Sequence, residues 1–280
     1  MNSQVSFWMI FLAILAAAIE PVIAKLAYAC QVTPVDLMIV KAVIGSIVIL
    51  PITRIFTWVG VKGFVKICAV SLLLLATNFL TLLALEHLSA VMVITILTTT
   101  PAIVGIVNQA LGKVNLNLQF WFGFGLCFLG ILLGLDYHNL ALTWIGLVQI
   151  GLAVLSSTTY RVYLDKLTKE FPVILISTYI FLINGLIMLL FYFPKLPNIQ
   201  FGIWQFGIWL GITSILANIA FLYALNKLGS TRISVILMIE RPVVLIIAAL
   251  VLKEVFNIEK FLGIIMVLWG ISLARVQHKP

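Results

Sequence analysis

Residues 78–101 read NFLTLLALEHLSAVMVITILTTTP, and residues 218–242 read NIAFLYALNKLGSTRISVILMIERP. Asn78 aligns with Asn218, and with one residue inserted the two closing prolines, Pro101 and Pro242, align as well. A recurrence of this length indicates that the chain contains two copies of one structural unit.

The similarity continues on both sides of these stretches. After them, two pairs of glycines recur with the same spacing, Gly123 with Gly130 and Gly263 with Gly270. Before them, a tryptophan is followed seventeen residues later by a basic residue, in the pairs Trp8 with Lys25 and Trp144 with Arg161. We therefore predict that residues 1–137 form a first repeat and residues 138–280 a second.

The composition is that of a helical membrane protein. Of the 280 residues 63% are apolar and only 9% are charged, and the mean hydropathy is +1.22. Soluble domains carry about 25% charged residues, and disordered chains are poor in apolar ones. Long unbroken apolar runs also exclude a membrane barrel, whose strands alternate lipid-facing and lumen-facing residues. The three cysteines form neither a metal motif nor a disulfide framework.

Apolar stretches of about 20 residues, the length that spans a bilayer as a helix, can be counted directly. There are ten, at 5–28, 35–54, 64–85, 89–111, 117–135, 142–164, 172–193, 202–225, 231–252 and 258–275. Five spans in each repeat is an odd number, so the second copy should enter the membrane inverted. The predicted fold is all-α and integral to the membrane, with ten transmembrane helices in two inverted five-helix repeats.

Charge asymmetry predicts the orientation. With the N-terminus in the cytoplasm, the outer loops hold only Lys195, Lys253 and Lys260. The cytoplasmic side then holds ten basic residues: Arg54, Lys62, Lys66, Lys113, Lys166, Lys169, Lys227, Arg232, Arg275 and Lys279. This positive-inside bias predicts that both termini are cytoplasmic and accounts for the net charge of +8 without nucleic-acid binding. We expect a multi-pass protein of a prokaryotic cytoplasmic membrane.

The pattern resembles the EamA branch of the drug/metabolite transporter superfamily. The resemblance is carried by Trp8 with Lys25, by ALEHLSA (84–90) leading to Pro101, and by ALNKLGS (224–230) leading to Pro242. Lys253–Glu254, followed by Gly263 and Gly270, adds to it. The resemblance implies a carrier of small metabolites, often amino acids moved outward, while some relatives move nucleotide sugars or drugs.

Ionisable side chains inside a span cost about 2.5–3.5 kcal/mol each on insertion scales, so each needs a reason. Six occur within the predicted spans: Glu20, Lys25, Lys41, Arg161, Glu240 and Arg241. Glu240 and Arg241 lie at mid-span, about 100° apart around the helix, so each needs a partner on another helix or water. They either belong to a buried ion network or take part in transport.

Glu20 has two open interpretations. A carboxyl group in a low-dielectric cavity can take up and release a proton near neutral pH, as a proton-coupled antiporter requires. Alternatively, Glu20 forms a salt bridge with Lys25 or Lys41 that fixes helix packing. Glu240 is the second candidate for proton coupling.

The basic residues inside the spans outnumber the acidic ones four to two, which favours a carboxylate-bearing solute. We predict that Lys25, Arg161 or Arg241 contacts the carboxylate. Polar and aromatic residues should shape the rest of the site: Asn78, Thr98, Thr99, Tyr160, Asn218 and Tyr223. Pro21, Pro101 and Pro242 are predicted hinges, because proline removes a helical hydrogen bond.

The predicted function is secondary active transport of a small metabolite, an amino acid or related carboxylate, by alternating access and in the direction of efflux. The alternatives are proton-coupled export of drugs or organic cations, a nucleotide-sugar-type exchanger, and a channel or membrane scaffold. No P-loop, metal motif or nucleophile–base pair predicts an ATPase, a cofactor or an enzyme. Expected partners are a small solute and the lipid bilayer. The glycine pairs Gly130 with Gly134 and Gly207 with Gly211 predict helix packing within the chain or in a homodimer.

Overall fold

The computed structural model describes residues 3–52, 58–88, 93, 96–133, 143–192, 201–252, 258–274 and 277–278. Within them the chain forms eleven α-helices: α1 Ser3–Ala29, α2 Pro34–Ile52, α3 Gly60–His87, α4 Thr100–Ala110, α5 Leu118–Leu133, α6 Trp144–Glu170, α7 Val173–Tyr192, α8 Phe201–Leu228, α9 Ser230–Ile236, α10 Glu240–Leu252 and α11 Ile258–Leu273. Two short strands, β1 Val114–Asn115 and β2 Gln277–His278, pair antiparallel.

The helices follow the predicted spans with three physical differences. Helix α6 continues to Glu170, about two turns beyond the predicted end at residue 164, because polar residues do not break a helix and Asp165 is anchored to Ser230. In the predicted fourth span, 89–111, the described residues are helical at 93 and 96–97 and again over Thr100–Ala110, with a turn at 98–99 between them. The ninth, 231–252, consists of α9, a 3₁₀ turn over Leu237–Ile239, and α10.

Four stretches of the described residues are long and apolar enough to cross a membrane: Gly60–Thr81, Trp144–Glu170, Val173–Phe191 and Gly202–Leu228. Large apolar side chains are exposed along the helices, among them Trp144, Phe191, Leu250 and Ile258. An apolar exterior of this kind suits contact with lipid tails rather than water. The fold is therefore that of a multi-pass helical membrane protein.

The chain divides into two compact units that are interleaved in sequence. Unit 1 comprises residues 1–72 and 166–227, and unit 2 comprises residues 73–165 and 228–280. Each unit therefore contains helices from both halves of the chain. The predicted boundary between residues 137 and 138 separates the two sequence repeats, and it does not coincide with the boundaries of the compact units.

Equivalent helices of the two halves pack against each other in unit 1. Helix α2 contacts α7, with Gly185 against the carbonyl of Ala42 and the hydroxyl of Ser46 donating to the carbonyl of Phe181 at 3.1 Å. Ala42 lies against Gly185, and the later residue Ser46 lies against the earlier residue Phe181, so these two helices are antiparallel.

The same relation holds in unit 2 between α5 and α11. A methyl group added to Gly123 would lie 2.6 Å from the carbonyl oxygen of Gly270, and one added to Gly130 would lie 2.6 Å from that of Gly263. The glycines repeated in the sequence therefore contact each other. The contact between Gly123 and Gly270 and the contact between Gly130 and Gly263 are related by the pseudo-symmetry of the two repeats. Only glycine permits this backbone approach, which brings antiparallel helices into direct van der Waals contact.

The glycine face of α8 is also occupied within unit 1. A Cβ atom added to Gly207 would collide with Val40, and one added to Gly211 would lie 2.9 Å from Ile44. These contacts belong to an apolar cluster that includes Leu210. Gly207 and Gly211 thus pack within the chain, the first of the two predicted roles, while Gly134 lies outside the described residues.

Candidate functional site

Arg161 is the centre of a charged cluster in unit 2. Its side chain is partly buried on α6, next to the buried Tyr160, and its Nη1 donates to Ser234 Oγ at 3.3 Å. The charges of Glu240 and Arg241, the first two residues of α10, act on the Arg161 guanidinium. Two guanidinium groups and one carboxylate therefore share one region, and a second carboxylate, that of Asp165, lies one helical turn from Arg161 on α6.

One turn after Arg161, α6 contacts the start of α9 through a second polar residue, Asp165. Asp165 is buried, and its Oδ2 accepts hydrogen bonds from the backbone N–H of Ser230 at 3.2 Å and from its hydroxyl at 3.1 Å. Asp165 follows Arg161 by four residues, and Ser234 follows Ser230 by four. The earlier residue on α6, Arg161, contacts the later residue on α9, Ser234, so the two helices are antiparallel. Two contacts, Asp165 with Ser230 and Arg161 with Ser234, fix their register.

Asn108 connects α4 to the same point. Its side chain is 2% exposed, and its Nδ2 donates to the hydroxyls of Ser230 at 2.7 Å and Thr231 at 2.8 Å. Ser230 thus accepts from Asn108 and donates to Asp165. This network joins α4, α6 and α9, so it fixes the first turn of α9 directly before the 3₁₀ turn.

The two predicted prolines of unit 2 lie at interruptions of helical structure. Pro101 has no N–H for the carbonyl of Leu97, and the hydroxyl of Thr100 donates to that carbonyl instead, at 2.7 Å. The hydroxyl of Thr99 donates to the carbonyl of Ile96 at 2.6 Å. Thr99, a predicted solute ligand, therefore bonds the backbone of its own turn.

In the second half the interruption is closed differently. Glu240 and Arg241 occupy the positions aligned with Thr99 and Thr100, and backbone N–H groups bond the carbonyls of Leu237 and Met238 in a 3₁₀ turn. Charged side chains therefore occupy the second break where hydroxyls occupy the first.

Glu20 belongs to unit 1 and has two close partners. Its Oε2 accepts from Lys41 Nζ at 2.5 Å, and its Oε1 accepts from Ser214 Oγ at 2.5 Å. Of the two interpretations, the salt bridge to Lys41 is the one that the geometry shows. It joins α1, α2 and α8.

The equivalent position in the other half explains the role of this pair. Glu20 follows Trp8 by twelve residues, and Ser156 follows Trp144 by twelve. Ser156 Oγ donates to the carbonyl of Leu73 on α3 at 2.8 Å, as Glu20 contacts α8, the helix equivalent to α3. A neutral hydroxyl thus makes the corresponding contact between helices in unit 2.

The other predicted site residues are distributed over both units. Asn218, on α8 in unit 1, accepts a hydrogen bond from Ser177 at 2.9 Å, and Tyr223 is half-buried on the same helix. Asn78 is exposed on α3, and Thr98 is buried before α4. Two further residues lie on α1: Pro21, through which the helix continues without a break, and Lys25, whose side chain lies outside the described part of the structure.

Sequence reasoning missed Asp165, Ser230, Ser234 and Asn108. Asp165 fell outside the predicted sixth span, although its spacing of four residues from Arg161 places both on one helix face. The serines carried the same signal, since Ser230 and Ser234 are also four residues apart. Within the described residues, no group of three or more His, Cys, Asp or Glu residues could hold a metal ion.

The sequence profile of the EamA-like transporter family matches this chain twice, at residues 5–135 and 144–276. A solved crystal structure superposes on it with a TM-score of 0.77, over 98% of this chain and 97% of that chain, at 15% identity. At that identity the likeness concerns the fold alone. No curated protein sequence matches the chain.

The fold and the double match define a class, that of multi-pass membrane transporters of small solutes. The chain belongs to the EamA-like transporter family, within the drug/metabolite transporter superfamily.

Proposed function

We propose that the protein is a secondary transporter for a small solute that carries a carboxylate, such as an amino acid. The single observation that supports this proposal is that Arg161 binds Ser234 just before the 3₁₀ turn, after which Glu240 and Arg241 begin α10. Arg161 and Arg241 bring two permanently charged guanidinium groups to the region of one carboxylate, Glu240. A guanidinium group binds a carboxylate through two parallel hydrogen bonds, so Arg161 and Arg241 are the anchoring groups.

A zwitterion suits this arrangement better than a simple anion. Its carboxylate pairs with a guanidinium group, and its ammonium group pairs with Glu240. An organic cation would be repelled by both guanidinium groups. In unit 1 the Glu20 carboxylate already accepts from Lys41 and Ser214, so it is not an open binding site for a lipophilic cation.

The transport mechanism that we propose is alternating access. The cluster lies at the interruption between α9 and α10, and interrupted helices are the elements at which secondary transporters bind solutes and change conformation. Pro101 and Pro242 act as hinges in this proposal. Energy comes from an ion gradient, from counter-exchange or from the solute gradient itself, with efflux as the physiological direction.

The proposed topology has ten spans in two inverted repeats, with both termini in the cytoplasm of a prokaryotic cell. The antiparallel pairs α2–α7 and α5–α11 support the inversion. A homodimer, if it forms, would use faces other than the glycine faces of Gly130, Gly207 and Gly211, which are occupied within the chain.

Purified protein in liposomes tests the proposal. Vesicles loaded with one unlabelled solute are assayed for exchange of labelled L-amino acids, hydroxy acids, choline and cationic dyes. Saturable exchange of carboxylate-bearing solutes supports the proposal. Transport of cationic dyes without competition by any amino acid would overturn it, ohmic current would indicate a channel, and solute-independent leakage would indicate a scaffold.

A further inference from the structure

We infer that Thr158 is a specificity-determining residue, whose hydroxyl binds an amino or hydroxyl group on the carbon next to the solute's carboxylate. This inference rests on the proposed function, because it assigns to Arg161 the carboxylate itself. It narrows the substrate class from carboxylates in general to α-amino and α-hydroxy acids.

The hydroxyl of Thr158 differs from those of other helical threonines. A threonine inside a helix usually donates to the carbonyl four residues earlier. Among the described residues, five threonines do so: Thr77, Thr81, Thr159, Thr178 and Thr213. Thr158 is 4% exposed, and among the described residues its Oγ1 has no hydrogen-bond partner.

An unpaired buried hydroxyl is costly to leave in place. The desolvation penalty of such a group is about 1–3 kcal/mol. Valine would fit the same space without that cost, so the hydroxyl suggests a partner that is present at another stage of the transport cycle. A bound solute supplies one.

The position of Thr158 connects it to the charged cluster. It precedes Arg161 by three residues, so the two side chains lie on one face of α6, with Cβ atoms about 5–6 Å apart. The contacts Asp165–Ser230 and Arg161–Ser234 set the antiparallel register of α6 on α9. Continued by three residues, this register places Thr158 at the level of Leu237, where the 3₁₀ turn begins.

In this proposal Arg161 and Thr158 bind different groups of the solute. The guanidinium group of Arg161 takes both oxygens of a carboxylate in its bidentate mode. The next polar group of an α-amino or α-hydroxy acid is on the adjacent carbon, a short step that the hydroxyl of Thr158, one helical turn from Arg161, can span. A threonine hydroxyl, which is both donor and acceptor, accepts a hydrogen bond from either substituent.

Two neighbouring threonines provide a matched test. Thr158→Val keeps the side-chain shape and removes the hydroxyl, and Thr159→Val does the same where the hydroxyl is exposed and bonds its own helix. Competition in the liposome exchange assay is measured with two matched series: L-alanine, L-lactate and propionate, and L-phenylalanine, L-phenyllactate and 3-phenylpropionate.

Wild type should favour the α-substituted acids of at least one series. Thr158→Val should weaken them by about three- to tenfold, as expected for one hydrogen bond, and leave the unsubstituted acid unchanged. Thr159→Val should change neither. Thr158→Ser, which restores the hydroxyl, should retain the wild-type preference and controls for folding.

Other results would contradict the inference in distinguishable ways. Equal weakening of all the acids in a series, or no change in Thr158→Val, overturns the role of Thr158 and leaves the proposed function standing. A wild-type protein that binds none of the six acids overturns both.

Discussion

Glu20 and Arg161 are both ionisable residues inside predicted spans, yet their surroundings differ. Glu20 is matched by Lys41 and Ser214, whereas Arg161 shares its region with a second arginine and one glutamate. The sequence predicted both as candidates because intramembrane charge is costly. It left two interpretations of Glu20 open because the partner, Lys41, lies on another helix, and only packing could choose between them.

We expect Glu20→Gln to affect stability more than transport. The substitution keeps the hydrogen bond to Ser214 but removes the negative charge opposite Lys41, which is 33% exposed. The free energy of unfolding should fall by about 1 kcal/mol, because the pair is partly open to screening. Thermal unfolding in detergent measures this change.

The control for Glu20→Gln is the double variant with Lys41→Met, in which no unpaired lysine remains and part of the lost stability should return. Exchange in liposomes should keep its rate and its pH dependence in Glu20→Gln. A variant of normal stability that has lost its pH-dependent transport would instead establish Glu20 as the proton-coupling residue.

Asp165 shows where sequence reasoning about single residues failed. A span was expected to end when polar residues begin, at residue 164, but α6 continues to Glu170. Its last turns therefore carry a buried acidic residue that anchors Ser230. Helix ends are set by tertiary contacts such as this one, which hydropathy does not contain.

At the scale of helices, Pro21 and Pro242 look alike in sequence, each following a glutamate by one or two residues. The structure separates them, since α1 continues through Pro21 while a 3₁₀ turn precedes Pro242 by three residues. A proline inside a helix can be accommodated by neighbouring helices, so its presence alone does not predict a break.

We predict that Pro242→Ala lowers transport by more than tenfold, because a restored helical hydrogen bond would favour a continuous helix over the interrupted one. Thermal stability should rise or stay unchanged. Pro21→Ala, in the uninterrupted helix, is the matched control and should leave exchange rates within about twofold of wild type. Equal effects of the two substitutions would refute a hinge at Pro242.

The close contact between α5 and α11 gives a second prediction at this scale. A methyl group on Gly130 would lie 2.6 Å from the carbonyl oxygen of Gly263, so Gly130→Ala should force the helices apart and cost about 1–3 kcal/mol. Gly125, on the same helix, has open space around its Cα, so Gly125→Ala should be neutral or slightly stabilising. Thermal unfolding of the two variants compares them, and equal losses would show that the contact is not close.

At the scale of the whole molecule, the duplication predicted more than any single motif did. It predicted that equivalent glycines matter in both halves, and the structure places Gly123 against Gly270 and Gly130 against Gly263. It did not predict that the two compact units would be interleaved along the chain. Repeats are read along the sequence, whereas compact units follow from which helices pack together, and long-range packing leaves no local signature.

Orientation in the membrane can be tested with a native cysteine. Cys30 is exposed between α1 and α2, while Cys127 is buried and donates to the carbonyl of Val267. With both termini in the cytoplasm, a membrane-impermeant maleimide should label Cys30 from outside intact cells, and Cys30→Ser should remove that labelling. Labelling of Cys30 only in inside-out vesicles would reverse the proposed topology.

The central claim is that Arg161 anchors the carboxylate of the solute, and exchange by Arg161→Gln in liposomes tests it most directly. The matched control is Lys62→Gln, which removes one positive charge at an exposed position in the first turn of α3. Loss of a charge-assisted hydrogen-bond pair, about 1.5–3 kcal/mol, predicts that Arg161→Gln needs at least tenfold more carboxylate for half-maximal exchange, with Lys62→Gln unchanged. An Arg161→Gln protein that folds and exchanges carboxylates as wild type does would contradict the claim.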